Sequence, residues 1–258
     1  MAVEHKFLNH DWKNGFWTEN AILKTDKYNP EVLFLGTFNP KTPNANFADF
    51  FYGRNYFWPV FKNLSNDNVN LLNTRMPLNG APKIELNPNI NEIFEFCLQF
   101  KIVFADLIQK VFVNCGELNF EPNDNLIIDN IEYNLINDGI RNGIHGLEQI
   151  DLLQEIEWST KKIIDYINSL PELKFVYLTR RPTAIWGREF NIIKNSVNNQ
   201  YIEFINIYTP SAQALLGQPR MNALINHWLF NNNPNFGTLN HNWIQNSGAQ
   251  INNFNNLL

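Results

Sequence analysis

Cysteine is nearly absent from this chain: Cys97 and Cys115 are the only two in 258 residues. That excludes a zinc site made of cysteines alone and an iron–sulfur cluster held by protein thiolates, since each needs four. In a reducing compartment the two read as buried small hydrophobes and not as a disulfide. The five histidines, His5, His10, His145, His227 and His241, are scattered, with no pair at ligand spacing. No metal and no other cofactor is therefore expected. No run of eighteen apolar residues occurs, so a membrane-spanning helix is not expected. The first residues lack a basic-then-apolar leader, and a cytoplasmic location is the expectation. Basic charge is also short, with 20 Lys and Arg against 25 Asp and Glu, a net charge of −5. Such a balance argues against coating nucleic acid electrostatically, while leaving room for a local basic rim around a cleft.

What is present is ordinary globular material, 44% hydrophobic and 17% charged, enough to build one large α/β core. Four apolar segments read as strands, at about 32–38, 101–107, 174–179 and 201–208. Between them lie helical patterns: one beginning near Pro59 and running through Leu64, then 90–98, 150–169, 182–190 and 219–230. Strands alternating with helices predict a single three-layer α/β/α domain with a short, mainly parallel four-stranded sheet. Residues 1–30 are expected to be an N-terminal arm or short helix, with the domain proper at 31–230. The Asn-rich segment 231–258 is expected to dock on that domain through Trp243, Ile244, Phe254 and Leu257. The Asn-rich and Pro-rich residues 65–90 and the turn-like Asn114-Cys115-Gly116-Glu117 read as connections.

The most informative stretch is Val32-Leu33-Phe34-Leu35-Gly36-Thr37-Phe38-Asn39-Pro40, followed by Phe51-Tyr52-Gly53-Arg54-Asn55-Tyr56-Phe57-Trp58. Four apolar residues ending on a glycine fit a strand buried on both faces. In open α/β sheets the ligand crevice lies beyond the carboxyl ends of such strands. A loop there with Asn, Arg and aromatics suits a flat polar ring, a base or nucleotide. The second strand closes on Asp106, and the last on Thr209-Pro210-Ser211-Ala212-Gln213-Ala214.

These blocks, in this order, resemble the uracil-DNA glycosylase superfamily. Gly36 to Pro40 stands where that family carries its first motif, and Thr209 to Ala214 where it carries a Pro-Ser-containing second one. The aromatic segment resembles the Tyr-Tyr-x-x-x-Arg-Asn-x-Phe-Trp run of the hypoxanthine-DNA glycosylase-like branch. Phe104-Ala105-Asp106-Leu107 and Cys115-Gly116-Glu117-Leu118 resemble further blocks of that branch. The chain departs from other branches: Phe38 stands where mismatch-specific uracil enzymes place Asn, no Asp-Pro-Tyr run follows, and Thr209 replaces a His. The resemblance implies a monofunctional DNA glycosylase that flips a deaminated, damaged or modified base, hypoxanthine first and uracil second. Its partner would be single- or double-stranded DNA, and the protein a monomer. The alternative is a noncatalytic module that kept the fold and reads nucleic acid or a nucleotide.

On that reading the catalytic candidates are Asn55, Asn39 and Asp106. Asn55 would position water or read the base edge, and its structural alternative is to cap the following helix. Asn39 has a turn-former as its alternative. Asp106 would bind the base or orient Asn55, or else cap backbone amides. Gly36, Phe38, Phe51 and Tyr52 would form the base-binding wall, Tyr52 keeping a hydroxyl for recognition. Arg54, Arg180, Arg181, Thr209, Pro210, Ser211, Gln213 and Arg220 would contact DNA. Leu215 and Leu216 would enter the gap that an extruded nucleotide leaves; for Leu215 the alternative is packing inside.

Overall fold

The computed structural model describes residues 2–41, 48–53, 55–66, 87–112, 146–152, 154–218, 220–230, 233–249, 251 and 254. Arg54, Cys115, Leu257 and most of 65–90 lie outside these residues. The strands are β1 (Ala2–Glu4), β2 (Phe16–Glu19), β3 (Ile22–Thr25), β4 (Val32–Gly36), β5 (Ile102–Asp106), β6 (Ile108–Phe112), β7 (Ile156–Trp158), β8 (Phe175–Leu178) and β9 (Glu203–Asn206). The described helices are α1 (Phe57–Asn66), α2 (Ile90–Phe100), α3 (Gly146–Leu152), α4 (Thr160–Ser169), α5 (Ala184–Ser196), α6 (Arg220–Phe230) and α7 (His241–Asn246). The class is α/β, but the sheet is not the four-stranded one expected. It is six-stranded and mixed, ordered β2-β3-β5-β4-β8-β9, and a separate antiparallel sheet is ordered β1-β6-β7.

The four strands read from the apolar runs are the mutually parallel ones, β5, β4, β8 and β9. The additional strands come from residues 2–25, expected as an arm or short helix, from the chain just after β5, and from Ile156–Trp158. β2 and β3 form a hairpin closed by Asn20 and Ala21, with φ of 56° and 62°. Positive φ at both central residues is what a type I′ turn requires. Asn-Ala lacks the glycine that usually announces such a turn, so the hairpin was not visible in the sequence. The helix expected at 150–169 is likewise divided. Gln154 takes a left-handed φ of 60°, and Ile156–Trp158 leave the helical pattern to pair with β6.

Alternation along the buried strands assigns each residue to a side. Val32, Phe34, Ile102, Phe104, Phe175 and Tyr177 pack with α1, α2, α6 and α7. Leu33, Leu35, Val103, Ala105, Val176 and Leu178 pack with α3, α4 and α5. The first side is aromatic: Phe34 stacks between Phe104 at 5.8 Å and Tyr177 at 5.3 Å, with Phe57 edge-on at 4.9 Å. Full burial of each such ring is worth about 1.5–3 kcal/mol. Trp243, Ile244 and Phe254 are buried on this same side. Because β5, β4, β8 and β9 run the same way, their carboxyl ends meet along one edge of the molecule.

Candidate functional site

At that edge lies a cavity of about 190 Å³ lined by Gly36, Thr37, Phe38, Asn39, Tyr52, Gly53, Asn55, Asp106, Thr179, Arg180, Thr209, Pro210 and Ser211. Its lining comes from the ends of all four parallel strands and from the segment leading into α1. That volume is below the roughly 300–1,000 Å³ of pockets for drug-sized ligands, so it suits a single ring system.

The floor is built around one carboxylate. Asp106, 1% exposed, ends β5 beside Gly36 in register. Its Oδ2 accepts from Asn39 Nδ2 at 2.6 Å and lies 2.7 Å from His5 Nε2. His5 Nδ1 accepts the Phe7 amide hydrogen at 3.0 Å, so the ring proton sits on Nε2 and is donated to Asp106. These bonds are to side chains, not to the backbone amides expected of a capping aspartate. Oδ1 stands over Gly36, where a Cβ would come within 2.1 Å of it and 3.1 Å of the Tyr52 hydroxyl. Glycine is required there because the carboxylate occupies the space that any side chain would need.

The wall above is equally fixed. Tyr52 adopts a left-handed φ of 57°, stacks on Phe57 at 4.5 Å and shares a 2.9 Å hydrogen bond with Thr179 Oγ1. Burial and then the nearby Asp106 charge push its phenol well above the ordinary tyrosine value, against a smaller lowering by Thr179. Asn55 lines the cavity while its Oδ1 accepts from the Phe57 amide at 3.0 Å, at the start of α1. The capping alternative is thus present in the geometry, leaving Nδ2 as the group Asn55 can offer a ligand. The Tyr56 amide donates to Pro210 O at 3.0 Å, which ties this segment directly to the loop after β9.

Three expectations are corrected. Phe51 is fully buried and stacked on Phe104 at 5.7 Å, beneath the cavity and not in its lining. Leu215 is fully buried in the aromatic core and cannot serve as a wedge without leaving it. Arg220 is 6% exposed, its guanidinium donating to the Tyr56 hydroxyl at 3.2 Å, so it does not face outward. Leu216 is 53% exposed, and Gln213 and Arg181 are exposed. Arg181 lies over Phe236 at 5.9 Å, and Arg180, on the cavity rim, over Trp186 at 4.5 Å.

His5, Thr37 and Thr179 were not singled out from the sequence. Thr179 carried a usable signal, since it immediately follows a buried strand. His5 carried none: it reaches Asp106 only because the chain after β1 is clasped between β6 and the first loop. The His5 amide donates to Gln109 O and the Lys6 amide to Asn39 O, each at 2.7 Å.

A concave polar site at the carboxyl ends of parallel strands places the protein among α/β proteins with a strand-end ligand cleft. No family model, curated protein or solved structure matches the chain. Among the described residues no group of His, Cys, Asp or Glu is placed to hold a metal ion, and no helix is long and apolar enough to cross a membrane.

Proposed function

We propose that this protein is a monofunctional DNA glycosylase of the uracil-DNA glycosylase-like type, hydrolysing the N-glycosidic bond of a flipped, altered base. The observation that carries the reading is the meeting of the 36–39 loop, Asn55, Asp106 and the 209–211 loop at one base-sized cavity. The parallel strands β5-β4-β8-β9, with helices on both sides, are compatible with the short parallel sheet of that superfamily, here extended by the β2–β3 hairpin.

The chemistry follows from the lining. An extruded base enters beside Phe38 and Tyr52, where an aromatic face contributes on the order of 1–3 kcal/mol of stacking. Asn39 and His5 both donate to Asp106 Oδ2, which leaves Oδ1 as the acceptor at the cavity floor. There it orients a water molecule and takes its proton as the water oxygen bonds to the sugar C1′. The electron pair of the broken C–N bond leaves with the base, which takes up the proton that Asp106 received from the water and so returns the carboxylate to its starting state. Asn55 Nδ2 can donate to charge developing on the base, whereas the Tyr52 proton is spent on Thr179 Oγ1, whose own hydroxyl donates to Leu35 O. The Thr209 to Gln213 loop and Leu216 face the DNA, with Arg180 and Arg181 supplying local positive charge against the acidic whole. Hypoxanthine is the first substrate and uracil the second.

The test is alkali-coupled strand cleavage on labelled single- and double-stranded oligonucleotides carrying hypoxanthine, uracil, xanthine or a hypermodified cytosine. Cleavage at one base, lost in Asp106→Asn and Asn55→Ala, is the expected result and identifies the substrate. No abasic product on any oligonucleotide, with salt-sensitive binding retained, would replace this reading with that of a noncatalytic nucleic-acid module.

A further inference from the structure

We infer that His5 is a positioning residue for Asp106: its Nε2 proton fixes one carboxylate oxygen so that the other faces the cavity floor. This inference rests on the glycosylase reading for its kinetic consequence, but its structural half stands separately. A histidine near the beginning of the chain has no sequence-local reason to be 1% exposed. Here it is enclosed by the rings of Phe7, Phe38 and Phe51, with centroids 5.9, 6.1 and 5.8 Å away. Both its nitrogens are used. Nδ1 takes the Phe7 amide hydrogen, which leaves Nε2 as the donor to Asp106. The tautomer is therefore dictated by a backbone amide two residues away, and the ring's orientation by strand pairing on both sides.

The geometry has a purpose that core filling does not explain. An aspartate with two free oxygens rotates about its Cβ–Cγ bond. With His5 and Asn39 both on Oδ2, rotation breaks two charge-assisted bonds at once, so Oδ1 stays above Gly36. Asn39 itself belongs to the cavity lining, whereas His5 lies behind Asp106. The residue that contacts the ligand is thus Asp106, and His5 acts through it.

The test uses the full-length protein in two arms. In the first, ¹⁵N-histidine nuclear magnetic resonance on the wild type is expected to show a ring protonated at Nε2 and bare at Nδ1, with its signals displaced in Asp106→Asn. A ring protonated at Nδ1, or unmoved by Asp106→Asn, overturns the proposal. In the second arm, His5→Phe is expected to lower kcat about 10- to 100-fold, the worth of a hydrogen bond to a charged group, with KM changed less than about twofold. His5→Gln, which restores an N–H donor near the Nε2 position, is expected to recover most of the loss. A purely structural role would instead reduce the folded fraction and leave kcat per folded molecule unchanged in both variants, and that result overturns the inference. If His5→Phe does not fold, His5→Gln and the ring tautomer decide it. A wild type that releases no base from any oligonucleotide sinks the glycosylase reading, and the ring measurement then settles the positioning claim alone.

Discussion

On the β5–β4–β8 side of the cavity the functional groups are held by long-range side-chain bonds, each with a buried partner, Asp106, His5 or Thr179. His5 meets Asp106 across 101 positions of sequence, Asn39 meets it across 67, and Tyr52 meets Thr179 across 127. On the β9 side the side-chain bonds of the loop are to its own near neighbours, and its long-range ties are to backbone carbonyls, Tyr56 to Pro210 and Trp228 to Tyr208. Thr209 Oγ1 accepts from the Ser211 amide, Ser211 Oγ from the Gln213 amide, and the Tyr208 hydroxyl donates to Ala214 O. The first wall is rigid because moving any member strands a buried polar partner, a cost of about 1–3 kcal/mol. The second is anchored at the Pro210 carbonyl and at buried Leu215, while Gln213 and Leu216 between and beside these anchors are exposed. A reacting group needs the first kind of support, and a surface that follows a DNA backbone is served by the second.

The sharpest way to break this comparison is Asp106→Asn. The amide keeps the shape and still accepts from His5 or Asn39, but it cannot take a proton, so base release should fall about 10²- to 10⁴-fold. Stability should fall by about 1–3 kcal/mol as the bonds from His5 and Asn39 lose their charged acceptor, less than the kinetic loss. A full-rate variant would move the chemistry away from the buried wall.

Next in size is the contrast between two adjacent leucines. Leu215→Ala empties a fully buried site and should cost about 2–5 kcal/mol in chemical denaturation. Leu216→Ala, on the exposed side, should stay within about 0.5 kcal/mol and weaken only oligonucleotide binding. Equal destabilisation by both would mean that the β9 loop is as firmly packed as the opposite wall.

Gly36→Ala probes the close approach directly. Its Cβ would collide with Asp106 Oδ1, and overpacking of this kind costs about 1–3 kcal/mol. Activity should fall further than stability, since the atom displaced is the one assigned to the water. A fully active, fully stable variant would show that Oδ1 has room to move.

The smallest effect is expected from Tyr52→Phe, which removes one hydrogen bond worth about 0.5–1.5 kcal/mol. The tyrosine also carries a pH signature. Its folded phenol titrates above the ordinary value of 10.0, so below that pH the group adds no pH dependence. Above it the unfolded chain loses the proton first, and stability falls as pH rises. Denaturation at alkaline pH should show a shallower decline in Tyr52→Phe than in wild type. An identical slope would mean that the phenol is not enclosed.

Local pattern was enough for part of this. The runs at Val32, Ile102 and Phe175 mark parallel strands because burial on both faces demands apolar residues at every position, while the half-buried edge strand β9 keeps only Phe204 and Ile205 as its apolar pair. Strand-end residues Gly36, Asn39, Asp106 and Thr209 to Ser211 were legible as site candidates because strand ends of a parallel sheet converge by topology. The sequence by itself therefore determined the α/β class and which loops gather at the cleft. Only the tertiary structure decided the two added strands beside β5, through a turn in which Ala21 takes positive φ, and the separate sheet that forms when β1 and β7 pair with β6. It alone separated Leu215 from Leu216 and placed Phe51 and Arg220 inside. It also brought His5 to Asp106, because a hydrogen bond between residues 101 apart is set by strand register, which no local pattern of side chains encodes.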